Sequence, residues 1–141
     1  MGLFEFFGEY LNPGNVGNIE KVDPNQLKKG KGMLIFKSIL SVAILIGVYI
    51  LIFGLKFQFK GFLIYVGIIF VYCLISYWIV PRPDYSNIGW LGGLMDHPFR
   101  YSDDLNRMLI FLLVILYPGR LISTTIYSWF LLLREKNSKI K

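Results

Sequence analysis

Residues 108–133 read MLIFLLVILYPGRLISTTIYSWFLLL. These 26 residues carry one charge, Arg120, directly after Pro118-Gly119. A run of that length covers a bilayer core, which takes about 20 residues of helix. A cation midway along it costs roughly 2.5–3.5 kcal/mol on insertion scales unless something pairs with it. Pro118 removes a backbone hydrogen bond, so the reading predicts a third hydrophobic segment that is either kinked or re-entrant at Pro118-Gly119.

Outward from this stretch, two more apolar runs appear. Residues 38–55 are uncharged between Lys37 and Lys56, and residues 61–80 between Lys60 and the Pro81-Arg82 exit. The short link containing Lys56 and Lys60 makes these two an antiparallel hairpin. Isolated spans must be helical, because lipid satisfies no open backbone groups. With 55% hydrophobic residues, the chain is too apolar for an ordinary soluble domain. The expected fold class is therefore an all-α integral membrane protein with three hydrophobic helical segments, at about 33–55, 61–80 and 105–133. No small-x-small cleavage pattern follows the first segment, so it is read as retained.

Residues 1–11, MGLFEFFGEYL, predict a short amphipathic helix, with Leu3, Phe4, Phe7, Tyr10 and Leu11 on one side and Glu5, Gly8 and Glu9 on the other. It either lies on the membrane or docks a partner protein, and its acidic face favours protein. The expected organisation is thus 1–32, an N-terminal amphipathic helix and basic linker; 33–133, the helical membrane domain; and 134–141, a basic tail.

The formal net charge of +6 is not a nucleic-acid signature here. Its cations (Lys28, Lys29, Lys31, and Arg134, Lys136, Lys139, Lys141) flank the apolar runs, where they meet lipid headgroups. Three full spans divide the basic residues evenly between the two membrane faces. A re-entrant third segment would collect nearly all of them on one face.

Few residues point to chemistry. Cys73 is the only cysteine, which excludes an internal disulfide and a cysteine metal cluster. Asp96, His97, Arg100, Asp103 and Asp104 match no strong catalytic or metal-ligand spacing, and turn and cap roles account for most of them. Ser102, Asp103 and Asp104 are expected to cap the third segment. Gly89, Gly92 and Gly93 lack the Lys-Ser/Thr of a phosphate loop and read as a loop dipping into the interface. No metal, cofactor or catalytic residue is predicted.

The candidate interaction or anion site is a stripe at helical spacing: Tyr117, Arg120, Ser123, Thr124, Tyr127 and Ser128. Ala43, Gly47 and Gly54 form a small-residue face for helix packing. No Asp or Glu occurs in the other two apolar runs, so the partner of Arg120 is expected from outside the chain. The expected role is a small non-enzymatic subunit or scaffold of a membrane protein assembly, in a bacterial inner (cytoplasmic) membrane. Its expected partners are lipid and other subunits or copies of itself. The alternative is an oligomeric channel or transporter component whose Arg120 stripe faces an anion. A third possibility is a membrane-bound, lipid-modifying enzyme using the Asp96 to Asp104 loop.

Overall fold

The structure, a computed structural model, describes residues 3–27, 30–85 and 101–138. In chain order the elements are α1 (Leu3–Leu11), β1 (Asn18–Glu20), a 3₁₀ turn (Pro24–Leu27), α2 (Lys31–Phe53), α3 (Phe59–Trp78), β2 (Val80–Arg82) and α4 (Tyr101–Ser138). Three of these helices, α2, α3 and α4, are long and apolar enough to cross a bilayer. That is the build of an integral membrane protein. Internal contacts group the chain into two compact units. One unit is Met1–Glu20 with Ile79–Ile115; the other is Lys21–Trp78 with Leu116–Lys141.

The first unit holds α1, the first turns of α4 and a two-stranded antiparallel pair, which the sequence reading left as loop. Its register sets Asn18 against Arg82, Ile19 against Pro81 and Glu20 against Val80. Arg82 and Glu20 reinforce it with an exposed ion pair at 3.1 Å. Gly17 makes the pairing possible. A Cβ on it would stand 2.1 Å from the Arg82 carbonyl oxygen, backbone that cannot give way.

In the second unit, α2 and α3 form the expected hairpin. Gly54 ends α2 with φ 67°, a left-handed conformation that a residue with a Cβ rarely adopts. Its N–H donates to the Ile50 carbonyl at 2.8 Å. The two helices meet through aromatic rings. Tyr49 and Tyr65 are edge-to-face at 5.4 Å, and Phe53 lies against Gly61, the close approach that this glycine permits. The Tyr65 hydroxyl donates to the Leu45 carbonyl at 2.7 Å. Leu51, Phe36, Leu63 and Phe70 are exposed, as side chains that face acyl chains should be.

α4 is one 38-residue helix, and it runs through Pro118 and Gly119 without interruption. The re-entrant version of the third segment is therefore corrected. A turn there would strip several backbone groups of partners, whereas an unbroken helix forgoes only the bond that Pro118 cannot donate.

Candidate functional site

The Arg120 stripe lies on the second unit's part of α4. The Arg120 guanidinium is half-buried and stands 5.5 Å from the Tyr117 ring, within cation–π range. Among the described residues no carboxylate pairs with it. The hydroxyls that shared its stripe do not serve it. Thr124 Oγ1 donates to the Arg120 carbonyl at 2.7 Å, and Ser123 Oγ to the same oxygen at 3.2 Å. Ser128 Oγ donates to the Thr124 carbonyl at 2.7 Å. These are back-bonds to the helix's own carbonyls, the usual recourse of Ser and Thr inside a helix. Tyr127 stacks beside Tyr77 at 5.8 Å. Within the stripe Thr124 and Ser128 are buried, Arg120, Ser123 and Tyr127 half-buried, and Tyr117 exposed.

The buried residues of this part of α4 are Leu116, Gly119, Ile122, Thr124, Thr125 and Ser128, a face that overlaps the stripe at Thr124 and Ser128. This face and its neighbours meet the last turns of α3 and the first turns of α2. A Cβ on Gly119 would meet Ser76 Oγ at 2.4 Å and the Tyr72 ring at 2.6 Å. The Gly119 N–H points to the Tyr72 hydroxyl at 3.3 Å. Trp129 Nε1 donates to Ser38 Oγ at 2.8 Å. Ser128 Oγ is also 3.4 Å from the Leu27 carbonyl, and Lys136 shares a cleft with Lys31.

Tyr72, Ser76 and Tyr77 belong to the last turns of α3, and Lys31 and Ser38 to the first turns of α2. This part of α4 thus lies across the open end of the hairpin. Gly119 is level with residues about 3–9 Å short of the end of α3, taking 1.5 Å per residue. Arg120, expected at mid-depth of a span, stands at that same level within this unit.

Gly119 also replaces the expected packing face. Ala43 is exposed, and nothing lies within 4 Å of a Cβ placed on Gly47 or Gly54. Close helix approach within the chain is made at Gly119 and Gly61 instead.

The first unit holds a polar node that sequence reading missed. Asn106 is 2% exposed and ties three backbone segments together. Its Oδ1 accepts from the N–H groups of Gly17 at 2.9 Å and Asp84 at 3.1 Å, and its Nδ2 donates to the Asn15 carbonyl at 2.9 Å. Glu9 does similar work. Its carboxylate accepts from the Gly14 N–H and the Ser102 N–H, each at 3.0 Å.

This corrects the expected cap. α4 begins at Tyr101, so Ser102, Asp103 and Asp104 lie in its first turn. The free Ser102 N–H is capped by Glu9, and the Ser102 hydroxyl is buried with no hydrogen-bond partner. Asp104 pairs with Arg107 one turn on, and acids in the first turn still oppose the helix dipole. A buried Asn at helical spacing from a cap was the available signal. Its partners lie about 90 residues away in sequence, beyond local pattern reading.

Asp96, His97, Arg100, Gly89, Gly92 and Gly93 fall outside the described residues. Among the described residues no group of three His, Cys, Asp or Glu side chains could hold a metal ion. Comparison with protein-family models, with curated proteins and with solved structures finds no match.

Proposed function

We propose that this chain is a small, non-enzymatic integral membrane subunit or scaffold that recruits another membrane protein subunit through α1. One observation carries the reading. Leu3, Phe4, Phe6, Phe7, Tyr10 and Leu11 are each more than half exposed on a helix of nine residues, while Glu9 turns to bond two backbone N–H groups. Helices that lie on membranes carry Lys or Arg beside their apolar face. α1, LFEFFGEYL, has neither. An aromatic-rich patch without cations suits an apolar groove on a protein.

We place the chain in a bacterial inner membrane with the open end of the hairpin in the cytoplasm. Lys21, Lys31, Arg134 and Lys136 flank that end, against Lys56 and Lys60 at the other, in keeping with the positive-inside rule.

Extraction from native membranes in mild detergent, followed by native electrophoresis, tests the docking role. The wild type should migrate as a complex well above its own 16.3 kDa in a micelle. Phe4→Asp with Leu11→Asp should reduce it to the bare subunit while leaving it inserted. A monomeric wild type, or a complex indifferent to both substitutions, would overturn the proposal.

A further inference from the structure

Where α4 crosses the hairpin it leaves a cleft of about 470 Å³ with the first turns of α2. Lys31 and Lys136 line it, and Leu34, Ile35, Leu132 and Leu133 form its apolar part. Trp129 walls it and is held in place: its Nε1 donates to Ser38 Oγ at 2.8 Å, and that hydroxyl donates to the Leu34 carbonyl at 2.8 Å.

We propose that this cleft binds one anionic phospholipid, its phosphate between Lys31 and Lys136 and an acyl chain along Ile35, Leu132 and Leu133.

Three observations select that occupant. Lys31 is the first residue of α2, so this cation stands at the end of a membrane helix and the apolar lining on α2, Leu34 and Ile35, begins one turn further in. That order, charge then hydrocarbon, is the order of a phospholipid entering from its headgroup. Next, two ammonium groups face one carboxylate, Glu135, which also lines the cleft. The surplus positive charge favours a headgroup with net negative charge over a zwitterionic one, whose own cation would meet the lysines. Finally, Lys21 lies 5.3 Å from the Trp78 ring at the end of α3. A cation and an interfacial aromatic at the same end of the hairpin mark headgroup level there too. The inference stands on the hairpin and α4, and is independent of the docking role of α1.

The test is made on the full chain, reconstituted into vesicles of phosphatidylglycerol and phosphatidylcholine in equal parts. The protein is then extracted in mild detergent and weighed by native mass spectrometry. The wild type should retain one phosphatidylglycerol in preference to phosphatidylcholine. Lys31→Gln with Lys136→Gln should lower that retention roughly tenfold or more. Lys56→Gln with Lys60→Gln removes equal charge at the other end of the hairpin and should leave retention as it was. Ile35→Trp fills the cleft without altering charge and should also abolish retention, which separates a shaped site from general attraction. Glu135→Gln should raise it. Equal retention of the two lipids by the wild type, equal losses in the two lysine pairs, or an Ile35→Trp protein that still carries the lipid would each overturn the proposal.

Discussion

α2 and α3 run beside each other and are joined by rings, with Tyr49, Phe53 and Tyr65 interleaved and one hydroxyl bonded across at 2.7 Å. The second unit's part of α4 meets the same hairpin through a glycine set on Ser76 and an indole bonded to Ser38. All three helices are apolar enough to cross a bilayer. The difference shows that composition sets which solvent a helix tolerates, while the size and row of its buried residues set the direction in which it lies. Large rings at matching depths hold a hairpin in register. α4 comes close to α3 at a glycine, where no side chain stands between the helices.

Depth measurements can break that comparison outright. After Cys73→Ser, single cysteines at Tyr117, Ile126 and Leu133 would carry spin labels on α4, with Ile46 and Leu63 as hairpin references. All five positions are exposed. If α4 crosses the open end, its three labels report nearly one shallow depth, and the hairpin labels lie deeper. If it runs alongside the hairpin, Tyr117 and Leu133 differ by about 24 Å at 1.5 Å per residue. A depth difference of that size would remove the crossing and return Arg120 to the bilayer centre.

What could be read beforehand follows from the same physics. The hairpin was legible because the constraints that announce it are local: two uncharged runs and a short basic link; the role of Gly54 in ending the first helix was not, since it reads as one more small residue of a packing face. The direction of α4 was not, because hydropathy counts length and is blind to tilt. Pro118-Gly119 was read as a break, since a proline costs a helix its bond. The glycine turned out to be a contact, and that is visible only once Tyr72 and Ser76 are opposite it. The stripe through Arg120 and the buried face overlap at Thr124 and Ser128, because neighbouring rows on a helix share members. Glu9 and Asn106 bond residues far away in sequence, and no periodicity reports such bonds.

The start of α4 sharpens the contrast, because polar groups hold it and rings hold the hairpin. Asn106→Ala would leave the Gly17 and Asp84 N–H groups and the Asn15 carbonyl without their partner. An unsatisfied buried group costs about 1–3 kcal/mol, so this should be the most damaging single substitution among those considered. Thermal unfolding in detergent, with proteolysis to localise the opening, measures it. Cleavage should appear first near Gly17 and Asp84. Stability within experimental error of wild type would show that the node holds nothing.

Paired glycine substitutions separate crossing contacts from open helix surface. Gly119→Ala places a methyl group under 3.0 Å from Ser76 and Tyr72. Ser76 is fully buried and bonded to the Tyr72 carbonyl at 2.7 Å, so it has little room to yield. A loss of about 1–3 kcal/mol is expected from overpacking. Gly47→Ala meets nothing within 4 Å and should be neutral, or gain up to about 1 kcal/mol from helix propensity. Opposite signs in the two thermal shifts are the expected result. A neutral Gly119→Ala would mean that α4 does not approach α3 closely there.

The smallest expected effect probes the hairpin's own hydrogen bond. Tyr65→Phe deletes the donor to the Leu45 carbonyl and keeps the ring against Tyr49 and Phe53. That carbonyl already belongs to the helical ladder of α2, so the substitution orphans no obligatory group. Interhelical hydrogen bonds in membranes average only about 0.6 kcal/mol, because the separated helices also find partners. Tyr65→Leu removes the ring as well and should cost distinctly more, since aromatic pairs add about 0.5–1.5 kcal/mol beyond their buried area. If the phenylalanine variant loses as much as the leucine variant, the hairpin is held by its hydroxyl and not by its rings. The contrast with α4 would then rest on the close approach at Gly119 alone.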